Sequence, residues 1–162
     1  MVDGRKTTVD AELKEQGSGL EEAKADVAGV WNLLFMMNKG EIPTAEKSEA
    51  FATYFTGIFR AVRFGAVEAH GKGAAAQYGY LKAKGAFAWD SASKRYVIDM
   101  AKMETGVRDL LHDILTLQAT GDYTGVKTFM DTWGKLDAEA TATIATMGNI
   151  PVDIRPIYPK SI

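Results

Sequence analysis

Apolar residues recur at three- and four-residue steps through most of the chain, the period of an amphipathic α-helix. From Leu20 to Asn38 the set Leu20, Ala23, Val27, Val30, Leu34 and Met37 keeps this rhythm. The second half of that stretch adds Trp31, Phe35 and Met36. It therefore reads as apolar all round and is expected to lie deep in the fold. Ser18, with Glu21 three residues on, makes a capping-box pattern at its start, and Lys39-Gly40 ends it. A second helix is predicted over Thr44 to about Phe64, with Phe51, Tyr54, Phe55, Ile58, Phe59 and Val62 as its stripe. Gly65 either separates it from a third segment, Ala66 to Lys84, or kinks one continuous helix. In that third segment the run Gly71 to Ala76 is almost free of side-chain bulk. A mid-helix glycine costs about 1 kcal/mol relative to alanine, so the run predicts a close approach of backbones.

The period changes after Gly85. Ala86-Phe87-Ala88-Trp89 and Arg95-Tyr96-Val97-Ile98 flank Asp90 to Lys94 and read as a short β-hairpin. Helical spacing returns over Met100 to Thr120, stops at Gly121-Asp122, and resumes over Tyr123 to Trp133 and Asp137 to Met147. Three prolines, Pro151, Pro156 and Pro159, make the end of the chain extended. The fold class expected is mainly α, a multi-helix domain with one hairpin near 86–98. Three regions are expected: an irregular N-terminal arm over 1–19 closed by the breaker cluster Gly17-Ser18-Gly19, a helical domain over 20–149, and an extended tail over 150–162.

Composition narrows the function classes. The 162 residues are 46% hydrophobic and 25% charged, a globular profile for one domain. Net charge is -2 with acids and bases interspersed, which gives no case for nucleic acid or an anionic membrane surface as partner. Cysteine is absent, so disulfides, thiolate metal sites and a cysteine nucleophile are excluded. No apolar run is long enough for a membrane span, and Met1 to Asp10 carries no apolar signal region. The compartment stays open between cytoplasm and periplasm.

Few side chains are candidates for chemistry. Of the two histidines, His112 sits among Asp109, Asp113 and Thr116 and reads as a solvated surface residue. His70 opens the small-residue run, where a ligand or backbone can come close. Glu21, Glu22 and Asp26 cluster in the first turns of the Leu20 helix, and Glu22 and Asp26 share a face at four-residue spacing. Acids are also favoured there by the helix dipole alone. There is no HExxH, GxSxG, P-loop or dinucleotide fingerprint. A catalytic zinc needs three protein ligands and an open position, and this chain has no histidine pair at metal spacing.

Four ordered stretches resemble the C-terminal part of the dipeptidyl-peptidase III family of zinc peptidases. They are Leu20-Glu21-Glu22-Ala23-Lys24-Ala25-Asp26, Arg63 through Gly73, Gln118 through Tyr123, and Ile150 through Ile154. The first is similar to the family's second zinc motif, EExx[AS][DE]. The resemblance implies that Glu22 is a zinc ligand and that Glu21, with Asp26, stands behind it, Glu21 orienting a zinc-bound histidine. It implies that His70 stabilises the oxyanion developing on a scissile carbonyl.

The family's HExxGH or HExxH motif, which brings both zinc-binding histidines and the general base, is absent here. The chain is expected to begin just past it. Zinc is thus expected in a complete enzyme acting on peptides, with no tight metal binding and no turnover by this chain alone. The partner expected is the missing N-terminal catalytic half, in cis or as a separate polypeptide, and an exposed apolar surface should mark where it docks. A homo-oligomer is a further expectation. The alternative is a self-standing helical binding module with no metal. Some members of the family carry a Nudix domain upstream, and no Nudix box is present here.

Overall fold

The computed structural model describes residues 2–151 and Tyr158. Its elements are α1 (Val9–Leu13), α2 (Gly17–Asn38), α3 (Lys47–Val62), α4 (Ala69–Ala83), the strands β1 (Phe87–Asp90) and β2 (Arg95–Ile98), α5 (Met100–Thr120), α6 (Tyr123–Trp133) and α7 (Ala138–Ala145). Short 3-10 turns follow α1, precede α3 and follow α7. The fold class is the one the periodicity predicts. Most of the expected 150–162 tail lies outside the described residues.

Helix α4 occupies the centre. Gly71, Gly73, Ala74, Ala75, Ala76, Gln77, Tyr78, Tyr80 and Leu81 are all buried on it. A helix can be surrounded this completely only if its neighbours come close, and glycine allows that on three sides. A Cβ at Gly73 would stand 2.6 Å from the Gly19 carbonyl oxygen of α2. One at Gly79 would stand 2.4 Å from the Trp133 carbonyl of α6, and one at Gly71 would overlap the Gly65 carbonyl. The close approach expected from the small-residue run is therefore present. Gly65 breaks the chain between α3 and α4 at φ +102°, which settles the choice between a break and a kink.

The remaining core fills in around this helix. Phe55 and Phe59 of α3 meet Tyr78, Phe87 and Tyr96 in an aromatic cluster, with Phe55–Phe87 centroids 4.5 Å apart and Phe55–Phe59 edge-to-face at 5.3 Å. Each fully buried large apolar side chain contributes about 1.5–3 kcal/mol of transfer free energy. The hairpin pairs Phe87 with Ile98 and Trp89 with Tyr96. Its turn closes without glycine because Asp90 accepts from the Ala92 amide and the Ser93 hydroxyl, while Lys94 takes φ +53°. Asp99, Asp122 and Asp137 cap α5, α6 and α7 by accepting backbone N–H groups in their first turns.

Three expectations are corrected. The arm over 1–19 is not irregular: α1 is helical, Leu13 is fully buried, and α2 already starts at Gly17. Gly19 lies inside this helix, where a Cβ would make only ordinary contacts with Met130, Ala69 and Lys72. Ser18 consequently lies inside α2, whose N-cap is Gln16 without a side-chain bond, so there is no capping box. Finally, the second half of α2 is not deep. Phe35 is 52% and Met36 39% exposed, because α4 takes the central position and α2 keeps an open side.

Candidate functional site

The acids of α2 are spread over two directions by the turn of the helix. Glu22 and Asp26, four apart, face α4 and α3, while Glu21 faces α5. Close packing at Gly73 brings the first turn of α4 against α2, since a Cβ there would also stand 3.3 Å from the Glu22 Cβ. The result is a contact between residues 48 positions apart: His70 Nδ1 donates to Glu22 Oε2 at 2.9 Å. A carboxylate only accepts, so this contact places a proton on Nδ1 and leaves Nε2 for a second partner. Both side chains remain about half exposed, at 54% and 46%, which leaves them open to a ligand.

Behind this pair lies a polar network the sequence did not reveal. Gln77 is fully buried, and both ends of its amide are hydrogen-bonded. Its amide donates to Asp26 Oδ2 at 3.0 Å and to the Gly73 carbonyl at 3.4 Å, and its oxygen accepts from Tyr54 OH at 2.8 Å. One side chain thereby ties α2, α3 and α4 together. Burial, and then the negative charge of Asp26, push the Tyr54 phenol above its ordinary value and keep it a neutral donor. Glu21 accepts from Gln118 Nε2 of α5 at 2.6 Å and pairs with Lys24 at 2.5 Å. Among the described residues no buried side-chain nitrogen or oxygen lacks a partner.

Asp26, Tyr54, Gly57, Ile58, Arg60, His70 and Gln77 line a cleft of 320 Å³ between α2, α3 and α4. Periodicity placed Tyr54 in an apolar stripe and gave Gln77 and Arg60 no role. Gln77 directly follows the small-residue run Gly73 to Ala76, and nothing in the sequence gives it a partner. Gln118 stood inside a quoted motif without an assigned partner. His112 is a surface residue, 76% exposed, as its polar neighbours indicated.

The donor chemistry of the site suits a borderline metal only in part. Glu22 offers a carboxylate and His70 an imidazole, but among the described residues no group of three or more metal-ligating side chains exists. Both Glu21 oxygens already have partners within the chain. No helix among the described residues is long and apolar enough to cross a membrane.

Comparison with solved structures shows what the fold is similar to. Dipeptidyl-peptidase III (DPP III) of Caldithrix abyssi superposes with a TM-score of 0.92 at 43% identity, over 97% of this chain and 30% of that one. The fold is that of one part of a dipeptidyl-peptidase III. The DPP III of Corallococcus sp. strain EGB gives a TM-score of 0.89 at 32% identity, over 97% of this chain and 29% of that one. Among curated proteins, Nudix hydrolase 3 of Arabidopsis thaliana is 37% identical over 158 residues, 96% of this chain and 20% of its own length. No family model matches the chain. This DPP III-like chain thus spans under a third of each relative.

Proposed function

We propose that the chain is the C-terminal helical part of a zinc-dependent peptidase of the dipeptidyl-peptidase III type, catalytically incomplete by itself. The observation that carries this reading is the Glu22–His70 contact, which joins the two residues the family resemblance assigns to the metal and to the substrate carbonyl. Zinc, when bound, would supply a polarising Lewis acid and a water of lowered pKa at this place. Glu22 would be its one carboxylate ligand from this chain, oriented by the α2–α4 contact. His70 would hold a proton toward the oxygen of a scissile amide as negative charge develops there. Glu21, buttressed by Gln118, and Asp26, buttressed by Gln77, would fix the outer groups of the metal site. The cleft floored by Gln77 and edged by Arg60 would seat part of a peptide. The two histidines and the general base of the complete site would come from the part of the fold outside this match.

A chimera tests the reading. This chain replaces the matching 30% of the Caldithrix abyssi enzyme, and zinc content and dipeptide release are measured. The chimera is expected to bind zinc and turn over. Glu22→Gln should lower zinc affinity by about 10–100-fold or more. His70→Asn should keep the metal and lower kcat by about 10²–10³. Full zinc occupancy in the Glu22→Gln chimera would refute the ligand assignment.

A further inference from the structure

From Val27 to Met37 helix α2 contains no charged residue and Asn32 as its single strongly polar side chain. Such a segment is composed for burial on every side, yet one side stands open. Ala25 and Gly29 are exposed, Val30 and Leu33 only partly covered, and the open strip runs on to Met36 and Phe35. Beside it lies a groove of 710 Å³ between α2 and α3, floored by Ala25, Gly29, Leu33 and Ala50.

Gly29 sharpens the point. It stands in a helix interior, where glycine weakens the helix, and a Cβ there would meet nothing within 4 Å. The glycines at 71, 73 and 79 each admit a neighbouring backbone, whereas nothing among the described residues uses the space at Gly29. The rim of the groove adds a charge signature. Asp26, Glu46 and Glu49 line it, and none forms an ion pair with lysine or arginine among the described residues.

We infer that this groove seats a helix with a small or apolar face and basic flanks, supplied by the part of the peptidase fold outside this chain's match. From Ala25 to Met36 the open strip spans about 16 Å of helix axis, three turns for the occupant to cover. Gly29 sets the closest approach of the two helices, and the three carboxylates select lysine or arginine along one flank. Because Asp26 and Tyr54 line both this groove and the candidate site's cleft, the seated helix abuts the Glu22–His70 pair. The origin of the helix rests on the peptidase reading above. The preference of the groove does not.

The test uses two synthetic helices of about five turns. They share a leucine and alanine face and carry lysine in one and glutamate in the other, and binding to the full chain is read by fluorescence anisotropy. The lysine helix is expected to bind at least about tenfold more tightly. Gly29→Leu should abolish this binding while the thermal midpoint holds or rises, since a Cβ added at this exposed position meets nothing within 4 Å and leucine favours the helix. Glu46→Lys combined with Glu49→Lys should reverse the order of the two helices. Equal affinities, no binding, or binding unchanged by Gly29→Leu would overturn the inference. So would a dimer of the chain that Gly29→Leu dissolves, which would give the face to a second copy. None of these failures would alter the zinc content of the chimera, so the two readings fall separately.

Discussion

Glycines at two positions of this fold carry opposite predictions. At Gly73 a methyl group would stand 2.6 Å from the Gly19 carbonyl and 3.0 Å from the Ala23 nitrogen, both backbone atoms that cannot swing aside. Gly73→Ala should push α4 off α2, cost about 1–3 kcal/mol and lengthen the Glu22–His70 contact. At Gly29 the same change meets open space and removes backbone entropy from the unfolded chain. It should stabilise by about 0.5–1 kcal/mol. Urea midpoints of the two variants against the parent check both signs in one experiment. Gln77→Leu belongs at this scale too. It conserves volume but leaves the Tyr54 hydroxyl without its acceptor and Asp26 without its donor, at an expected cost of about 1–3 kcal/mol in the same titration.

At the scale of elements, α7 depends on a single carboxylate. Asp137 caps it by accepting the Ala140 amide at 2.8 Å, and also accepts Tyr78 OH at 3.1 Å and Lys82 Nζ at 2.5 Å. Burial alone would raise the Asp137 pKa, but the hydrogen bonds from Lys82, the Ala140 amide and Tyr78 outweigh it and hold the carboxyl below its ordinary value. Its stabilisation is thus fully present above about pH 3.9 and is lost as pH falls through the lower folded value. Asp137→Asn should therefore be less stable than the parent at pH 7, and the two should converge in acid, as urea midpoints at the two pH values would show.

Helix limits were legible to within a few residues wherever an Asp cap or a glycine marked them, as at Asp99, Gly121 and Asp122. Depth was not legible. Apolarity pointed to the second half of α2 as the buried segment, whereas α4 is central. Gly71 to Ala76 gives almost no hydropathy signal, because what makes that helix central is the absence of side chains. Spacing offered Glu22 with Asp26 and a lone His70 as candidates, and only the family resemblance set Glu22 beside His70. Gln77, Tyr54 and Gln118 were not legible, since a hydrogen bond across 23, 51 or 97 positions leaves no local trace.

On the scale of the whole molecule, the described residues form a closed core with one open side, and they match one part of the larger dipeptidyl-peptidase III structures. Among the described residues the site holds one carboxylate and one imidazole in contact, short of the three protein ligands of a catalytic zinc. Equimolar zinc should consequently leave the thermal midpoint of this chain nearly unchanged, because a stabilising shift needs ligand well above its dissociation constant. A tight one-to-one complex in a calorimetric titration would show that the ligand set is complete within the chain, and would refute the incomplete-site reading.

The sequence distances across the site also set an order of events in folding. The Glu22–His70 contact closes 48 residues and the Glu21–Gln118 contact closes 97. Each helix can form from local interactions, but these two ties return no free energy until the loop-closure entropy between their ends has been met. During synthesis α2 emerges long before α4 and α5, so its acids stand in water facing one another and Lys24 alone. The acids of α2 precede the helices that give them direction, and the pocket between them waits on the closure of both loops.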